Sequence, residues 1–296
     1  MPNIGFIGLG NMGAPMAANL VKSGDHVLGF DVVAAARQAC AQLGVEIAAD
    51  PKAAVEVADI VITMLPAGDY VRAVWSEILA SAKRGALFMD CSTIDVTSAR
   101  AAHALAAERG IAALDAPVSG GVAGAKAATL TFMVGGAAEA FARGKPILER
   151  MGKRVVHCGD AGNGQAAKIC NNMILGASMI AVSEAFVLGE RLGLSHQALF
   201  DVASASSGQC WSLTSYCPVP GPVPASPANN GYKPGFAAAL MLKDLKLARE
   251  AAQAVHANTA LGTHAAEIYD RYAAAGHSAN DFSGIVNFVR EVSKPR

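Results

Sequence analysis

The order of apolar and polar residues divides the chain into two halves with different patterns. In the first half, short apolar runs such as 3–9 and 26–30 alternate with stretches of helical periodicity. Such runs are typical of parallel strands that helices cover on both faces. Beyond residue 162 the periodicity is helical, without strand-like alternation. We therefore predict an α/β domain over 1–162 and an all-helical domain over 163–296.

A long interdomain helix is predicted to join the two halves, from residue 164 to residue 191. It would be about 40 Å long at about 1.5 Å per residue. Its residues are apolar on almost every face, so it needs cover all round. Glu184 and several small residues within 173–188 favour a buried helix over a membrane span. One helical domain covers such a helix only in part, and we expect a homodimer or homotetramer to cover the rest.

The cofactor loop is predicted directly after the first strand, where a G-x-G-x-x-G motif opens a helix at 14–22. In this context Gly8 makes the tight turn, Gly10 lets the backbone approach a pyrophosphate, and Gly13 lets the helix pack on the strand. The helix N-terminus supplies free N–H groups for the phosphates. The motif predicts a Rossmann-type dinucleotide-binding domain, with cofactor contacts from Gly8, Leu9, Gly10, Asn11, Met12 and Gly13.

Asp31 ends the second predicted strand, eighteen residues after Gly13. A carboxylate at this place binds the ribose hydroxyls of NAD and repels the 2′-phosphate of NADP. Positions 32–36 hold no Arg or Lys that could neutralise such a phosphate. The sequence therefore predicts NAD as the cofactor.

Other strand ends supply further candidates. Leu65 and Pro66 follow the predicted strand 60–64, and Thr93 follows the strand 85–89. Since the carboxyl ends of parallel strands meet at the ligand-binding edge of an open α/β sheet, we expect all three residues to line the cofactor. For each of them alone, an ordinary turn residue is an equally good interpretation.

Two more groups of residues indicate a substrate site. Ser119 is followed by Gly120 and Gly121, which exposes a hydroxyl and successive backbone N–H groups that suit a carboxylate. The alternative is a flexible loop before the next strand. Lys168 and Asn172 lie one turn apart on one face of the long helix. An amine and a carboxamide on an otherwise apolar helix indicate a functional site.

Four motifs, taken together, resemble the β-hydroxyacid dehydrogenase family. They occur in the family's order across nearly the whole chain: Gly8–Gly13, Asp115–Gly121, Gly162–Asn172 and Lys243-Asp244-Leu245. Within the family the pattern is most similar to the branch that oxidises 3-hydroxyisobutyrate. Some members that reduce glyoxylate or succinic semialdehyde carry a basic residue after the second strand, and this chain departs from them with Asp31-Val32-Val33.

The resemblance implies the roles of the site residues. Lys168 is the catalytic acid/base, Lys243 contacts the cofactor or the substrate, and Asp244 lies beside it at the substrate. Substrate binding is implied for Ser119, Gly120, Gly121 and Asn172. The implied reaction is NAD-dependent oxidation of a short 3-hydroxy acid, foremost 3-hydroxyisobutyrate to methylmalonate semialdehyde in valine degradation.

Several alternatives stay open at this point. The substrate can be serine or another 3-hydroxy acid, or the enzyme can be a reductase of a semialdehyde or glyoxylate. Imine reduction is disfavoured, because imine-reducing relatives usually lack the lysine found here as Lys168. A non-catalytic nucleotide-binding protein would require Ser119, Lys168 and Asn172 to be incidental.

The segment 206–235 is rich in proline and glycine and is predicted to be a long loop without regular structure. Loops of this length are usually functional or disordered. Trp211 and Tyr216 lie within it, and we expect them to close over a small substrate and exclude water. The alternative is a packed surface loop that its aromatic side chains anchor.

Composition excludes several classes of partner. The chain has 24 basic and 24 acidic residues and a net charge of +0, so nucleic acid is not an expected partner. Its seven histidines show no metal-ligand spacing, and we expect no metal site. Its six cysteines form no C-x-x-C pair, and the N-terminus has no signal-like stretch, so a cytoplasmic protein with reduced thiols and no membrane span is predicted.

Overall fold

The computed structural model describes residues 1–293, and the chain divides into two compact units, Met1–Lys168 and Ile169–Arg296. Within the described residues, one sheet of nine strands occupies the first unit. The strands are β1 (Asn3–Ile7), β2 (His26–Phe30), β3 (Glu46–Ile47), β4 (Ile60–Thr63), β5 (Leu87–Asp90), β6 (Ala112–Asp115), β7 (Val118–Ser119), β8 (Leu130–Gly135) and β9 (Gly152–Gly159).

Helices connect these strands and cover the sheet. They are α1 (Gly13–Lys22), α2 (Ala34–Ala41), α3 (Ala53–Glu56), α4 (Gly68–Ile78), α5 (Val96–Ala107), α6 (Gly121–Lys126) and α7 (Ala138–Leu148). Apolar side chains fill a core on each face of the sheet, with Phe6 and Leu20 in one and Trp75 and Phe88 in the other.

The order of the strands locates the ligand-binding edge. The sheet runs β3-β2-β1-β4-β5-β6 with parallel pairing, and β8 then pairs antiparallel with β6 and β7 and parallel with β9. The order reverses direction between β1 and β4. In open α/β sheets a ligand binds in the crevice beyond the carboxyl ends of the strands at such a reversal. The loops that follow β1, β4 and β5 begin at this edge of the sheet.

The second unit consists of helices and the segments that connect them, and no strand is assigned among its described residues. The long helix α8 (Asn163–Arg191) enters it, and α9 (His196–Ser204), α10 (Trp211–Thr214), α11 (Ala238–Ala254), α12 (Ala260–Tyr272) and α13 (Ile285–Val292) follow. Its main core includes Met179, Met241, Leu245 and Tyr269. Gly176 lets α8 approach α11 closely, since a Cβ there would lie 3.0 Å from the Leu245 side chain.

Helix α8 is long and apolar enough to cross a membrane by length and composition alone. Half of its most apolar window is buried within the protein, as expected for a helix that serves as a core element. The apolar residues of α8 are unevenly buried among the described residues. Ile174 is 67% exposed and Leu188 is 61% exposed, whereas Met179 is fully buried.

Several predicted element boundaries require correction. The loop 206–235 is not wholly irregular, since it contains α10 and a 3₁₀ turn at Pro227–Asn230. The strand predicted at 60–64 ends one residue earlier, at Thr63 of β4. Helices α2, α4 and α13 were not predicted. In α4 and α13 the packing of an apolar face stabilises the helix. Helix α2 buries only Cys40 but is rich in alanine, the residue with the highest helix propensity.

Candidate active site

The glycine-rich loop after β1 has the geometry that the motif predicts. Gly8 has a φ of +97° and donates its N–H to the Phe30 carbonyl at 2.9 Å. A Cβ on Gly13 would lie 1.9 Å from the Gly8 carbonyl oxygen, so that only glycine permits this packing. A Cβ on Gly10 would meet nothing within 4 Å. The loop therefore leaves open space at Gly10, where a pyrophosphate can approach the backbone.

Helix α1 begins at Gly13, with Leu9, Asn11 and Met12 completing the loop before it. Within the described residues, its first turn receives no side-chain cap and contains no acidic residue. No carboxylate of that turn competes for the positive end of the helix dipole, which can therefore attract an anion. The Ala14 and Met16 N–H groups already donate to the Gly10 and Met12 carbonyls.

The carboxylate of Asp31 is held in a fixed orientation at the end of β2. Its Oδ2 accepts the Leu9 N–H at 2.7 Å, and its Oδ1 accepts the Val33 N–H at 2.8 Å. Each oxygen keeps a further lone pair for a ribose hydroxyl. The bond from Leu9 ties this carboxylate directly to the glycine-rich loop.

Arg37 is a neighbour of this site that the sequence analysis missed. Its guanidinium donates to the Asp31 backbone carbonyl and lies over the Phe30 ring, 5.7 Å from the centroid. Arg37 lies one position beyond the stretch 32–36, which contains no basic residue. Because α2 begins at Ala34, the chain turns back after β2 and brings Arg37 to the strand end.

The loops after β4 and β5 are joined by a buried polar network. Leu65 donates its N–H to the Ser92 hydroxyl at 2.7 Å, and that hydroxyl donates to Asp90 Oδ1 at 2.6 Å. Thr63 donates to the same Asp90 oxygen at 2.7 Å. Pro66 is exposed and Thr93 is partly exposed at these strand ends. The predicted cofactor-lining residues thus lie on neighbouring strand ends of one sheet.

Asp90 is the buried centre of this network. Burial raises its pKa to about 6, against the lowering effect of its hydrogen bonds to Ser92 and Thr63. Its Oδ2 accepts no hydrogen bond from the described residues. The sequence analysis passed over Asp90 and Ser92, although an acid and a hydroxyl at the end of a buried strand are a signal that could have identified them.

Ser119, Gly120 and Gly121 lie in an ordered turn. Ser119 ends β7, where it pairs with Thr131 of β8, and α6 begins at Gly121. Gly120 has a φ of +130° and Gly121 has a φ of +60°. Two consecutive residues with positive φ bring successive N–H groups to one side of the turn. Gly120 thus connects β7 directly to α6.

Helix α8 begins where Gly164 allows it to touch the sheet. A Cβ on Gly164 would lie 2.4 Å from the Met133 carbonyl oxygen and 2.7 Å from the Asp115 carbonyl oxygen. Gly162 has a φ of +84°. These two glycines therefore keep side-chain bulk away from the start of α8. Lys168, at the end of the first unit, is only 6% exposed.

Asn172 and Asp244 form a buried pair in the second unit. Asn172 is 2% exposed and donates from Nδ2 to Asp244 Oδ2 at 2.5 Å, while its Oδ1 accepts from Asn171 at 2.9 Å. Asp244 is 4% exposed on α11, next to the partly exposed Lys243. The structure thereby joins two motifs that lie 72 residues apart in the chain.

Trp211 and Tyr216 stack on each other in the segment 206–235. Their ring centroids are 4.8 Å apart with an interplanar angle of 20°. The Tyr216 hydroxyl donates to the buried Asp281 at 2.9 Å, and its ring stacks on Phe282. Trp211 is 51% exposed. Tyr216 therefore anchors the segment, and Trp211 is the member of the pair that has free surface.

No group of three or more His, Cys, Asp or Glu residues that could hold a metal ion occurs within residues 1–293.

Comparisons with known proteins agree with this arrangement. Residues 3–159 match the family model described as the NAD binding domain of 6-phosphogluconate dehydrogenase. Residues 162–289 match the model described as NAD-binding of NADP-dependent 3-hydroxyisobutyrate dehydrogenase. A probable 3-hydroxyisobutyrate dehydrogenase of Mycobacterium tuberculosis is 54% identical over 290 residues, which cover 98% of each chain.

Two further similarities bear on the substrate. An NAD-dependent L-serine dehydrogenase of Pseudomonas aeruginosa is 47% identical over 286 residues, which cover 96% of each chain. The solved structure of 3-hydroxyisobutyrate dehydrogenase of Mycobacterium tuberculosis, described with L-serine, has a TM-score of 0.96 and 54% identity. The match covers 98% of this chain and 99% of that chain.

The predicted fold class is confirmed: a Rossmann-type dinucleotide-binding domain precedes a helical domain, and α8 leads from one to the other. The open space at Gly10 and the oriented Asp31 carboxylate fit NAD, which is the cofactor. The chain belongs to the β-hydroxyacid dehydrogenase family, in which it is most similar to 3-hydroxyisobutyrate dehydrogenase, and is an NAD-dependent hydroxyacid dehydrogenase.

Proposed function

We propose that the enzyme oxidises 3-hydroxyisobutyrate to methylmalonate semialdehyde, as in valine degradation, with Lys168 as the general acid/base. The observation that carries the proposal is the buried Lys168 amine on α8, the helix that also carries Asn172. The similarity to 3-hydroxyisobutyrate dehydrogenases over nearly the full chain supports the choice of substrate.

Oxidation of a primary alcohol requires two groups on opposite sides of one C–O–H unit. NAD, when bound, would supply the acceptor for the hydride that leaves the alcohol carbon. The hydroxyl proton then needs a base, which a neutral Lys168 amine supplies, and in the reverse direction the ammonium returns the proton. Asn172, one helical turn further along α8, hydrogen-bonds the same oxygen or the amine.

Binding of the substrate carboxylate is assigned to the turn after β7. Ser119 supplies a hydroxyl, and Gly120 and Gly121 supply backbone N–H groups that need no side-chain movement. Fixing the carboxylate orients the alcohol carbon. Asp244 orients Asn172 at the substrate, Lys243 contacts the cofactor, and Trp211 covers the substrate with its exposed face while Tyr216 supports it from behind.

The cofactor contacts are assigned to the loops at the reversal of strand order. The glycine-rich loop binds the pyrophosphate, Asp31 binds the adenosine ribose, and Leu65, Pro66 and Thr93 line the remainder. We also propose a preference for NAD over NADP. The family model that mentions NADP matches residues 162–289, which do not include the ribose-binding carboxylate.

L-serine is the second candidate substrate. It is favoured by the 47% identical L-serine dehydrogenase and by the solved relative described with L-serine. The two substrates share the carboxylate and the primary alcohol and differ in a methyl group against an ammonium group. Comparing kcat/KM with NAD for 3-hydroxyisobutyrate, L-serine and other 3-hydroxy acids decides between them. A clear preference for serine would contradict the first choice.

The general-base role is tested with Lys168→Ala and Lys168→Arg. Both should lower kcat by at least about 10²-fold while NAD still binds, since general catalysis contributes about 10²–10⁴-fold. If Lys168 only bound the carboxylate as a cation, arginine would restore most of kcat and the main change would be in KM. A Lys168→Arg enzyme that keeps most of its kcat would therefore contradict the proposal.

A homodimer or homotetramer is proposed as the active form. Ile174, Ala181 and Leu188 are exposed on α8 at intervals of seven residues, which places them on one face. Burial of such a face by a second copy removes apolar surface from water. Sedimentation of a compact, fully active monomer would contradict this.

A cytoplasmic location is also proposed, because all six cysteines are free. The proposed domain bounds are 1–162 for the NAD-binding domain and 163–296 for the helical domain.

A further inference from the structure

The first turn of α8 is capped by a carboxylate from a distant part of the chain. Asp115, at the end of β6, is 1% exposed. Its Oδ1 accepts the Gly162 N–H at 2.7 Å, and its Oδ2 accepts the Gln165 N–H at 3.0 Å. A helix start at glycine lacks its own capping side chain, and a carboxylate here satisfies two N–H groups and complements the helix dipole. Asp115 thereby sets the position of α8 along its axis.

Gln165 fixes the same helix against rotation. Its side chain is fully buried. Its Nε2 donates to the Ser92 carbonyl at 2.7 Å, and its Oε1 accepts the Ile94 N–H at 3.1 Å. Because both ends of the carboxamide are bonded to the segment after β5, α8 cannot turn about its axis without breaking a buried hydrogen bond.

Lys168 follows Gln165 by three residues and therefore lies on the same face of α8, one turn further on. The segment after β5, to which the Gln165 side chain is bonded, also includes Thr93. In the same segment, the Ser92 hydroxyl accepts the Leu65 N–H. The lysine helix and the turns proposed to line the cofactor are thus joined by one set of buried bonds. A displacement of about 1 Å at a reacting group can cost about 10²-fold in rate.

We propose that Gln165 is a positioning residue for the proton transfer: its bonds to Ser92 and Ile94 set the rotation of α8 and hold the Lys168 amine at the reacting hydroxyl. The proposal rests on the proposed role of Lys168. The competing interpretation is that Gln165 contributes only to folding, as a satisfied buried polar group does.

The test compares Gln165→Met with Gln165→Glu. Methionine has a similar length and makes neither bond, whereas glutamate keeps the acceptor for Ile94 and loses the donor to Ser92. We expect Gln165→Met to lower kcat by about 10–100-fold and Gln165→Glu to lower it by less. KM and NADH affinity, measured by fluorescence titration, should change less than about twofold. Gln197→Met, which removes an exposed carboxamide bonded to Asp201 on α9, is the matched control and should keep full activity.

Two readouts separate positioning from folding. With substrate deuterated at the alcohol carbon, the isotope effect on kcat should rise in Gln165→Met, because a displaced base slows the chemical step. In a Lys168→Ala background, Gln165→Met should cost less than about a further twofold, since residues acting through one group are not additive. All measurements are made below the unfolding midpoint of each variant.

A lowered Tm in Gln165→Met with unchanged kcat and isotope effect would overturn the proposal. It would also be overturned if the losses of kcat from Gln165→Met and Lys168→Ala multiplied in the double variant. If Gln165→Met does not fold, Gln165→Glu carries the same test. Retention of kcat by Lys168→Ala would overturn the general-base role and this inference together. Loss of kcat in Lys168→Ala with full activity in Gln165→Met would overturn the positioning role alone.

Discussion

Asn172 on α8 donates a 2.5 Å hydrogen bond to Asp244 on α11, and both side chains are at least nine-tenths buried. Because a carboxylate only accepts hydrogen bonds, the Nδ2 end of the Asn172 carboxamide points at Asp244. The Oδ1 end of Asn172 is thereby left to face its other neighbours. The pair makes Asp244 a partner of the proposed substrate-binding asparagine.

Asp244→Ala should therefore impair use of the hydroxy acid more than binding of NAD. Removing the acceptor leaves Asn172 without this buried bond, at a cost of about 1–3 kcal/mol. We expect kcat/KM for the substrate to fall about 10–100-fold, because about 1.4 kcal/mol corresponds to tenfold, and Asp244→Asn to retain more activity. Asp270→Ala, which removes an exposed aspartate paired with Lys246, is the control. A loss of NAD affinity with unchanged kcat/KM for the substrate would contradict the role.

The position of Arg37 changes the expected route to NADP. Asp31→Ser removes the charge that repels a 2′-phosphate, and Arg37 already lies at the end of β2. We expect this single substitution to raise kcat/KM with NADP at least about tenfold. Adding Val32→Arg should raise it further, whereas adding Arg37→Met should remove the gain. Equal use of both cofactors by the unaltered enzyme would contradict the assignment of Asp31.

Gly164→Ala should displace α8 from the sheet. The new Cβ would lie 2.4 Å from the Met133 carbonyl oxygen, and backbone cannot move aside as a flexible side chain can. Overpacking of this kind costs about 1–3 kcal/mol of unfolding free energy, and kcat should fall because Lys168 moves with the helix. In Gly208→Ala, the control, the nearest atom lies 3.9 Å from the new Cβ. Urea unfolding and kcat, measured on both variants, test this, and equal stability would refute the close approach.

Asp90 should make stability depend on pH in the opposite sense to an ordinary paired carboxylate. Burial raises its pKa to about 6 from 3.8, so the native state keeps a proton that the unfolded chain releases between about pH 4 and about pH 6. The contribution of Asp90 to the unfolding free energy is greatest below about pH 4 and is lost as pH rises through about 6.

Asp90→Asn stays neutral and keeps an oxygen for Thr63 and Ser92. Between about pH 4 and about pH 7.5, its unfolding free energy should gain about 3 kcal/mol relative to the unaltered enzyme, because the pKa of Asp90 is raised from 3.8 to about 6 and each pKa unit corresponds to about 1.4 kcal/mol. Asp59 is the control of opposite sign, because its hydrogen bond from Lys83 lowers its pKa. Asp59→Asn should lose stability relative to the unaltered enzyme as pH rises. Parallel pH profiles for Asp90→Asn and the unaltered enzyme would contradict the raised pKa.

The sequence by itself determined the features that depend on short-range geometry. The apolar run 26–30 was predicted with the observed ends of β2, because short apolar runs between helical stretches are typical of parallel strands. The roles of Gly8 and Gly13 also follow from local requirements, namely a positive φ and close packing of a helix on the preceding strand. The spacing of Lys168 and Asn172 alone places them one turn apart on one face of a helix.

Only the tertiary structure decided what surrounds these residues. The bonds from Gln165 to Ser92 and Ile94, the cap that Asp115 provides for α8, and the pairing of Asn172 with Asp244 each join positions 47 to 73 residues apart. Arg37 likewise reaches the end of β2 only because α2 turns the chain back. Such contacts depend on how separate elements pack, and side-chain periodicity along one element carries no information about its partners.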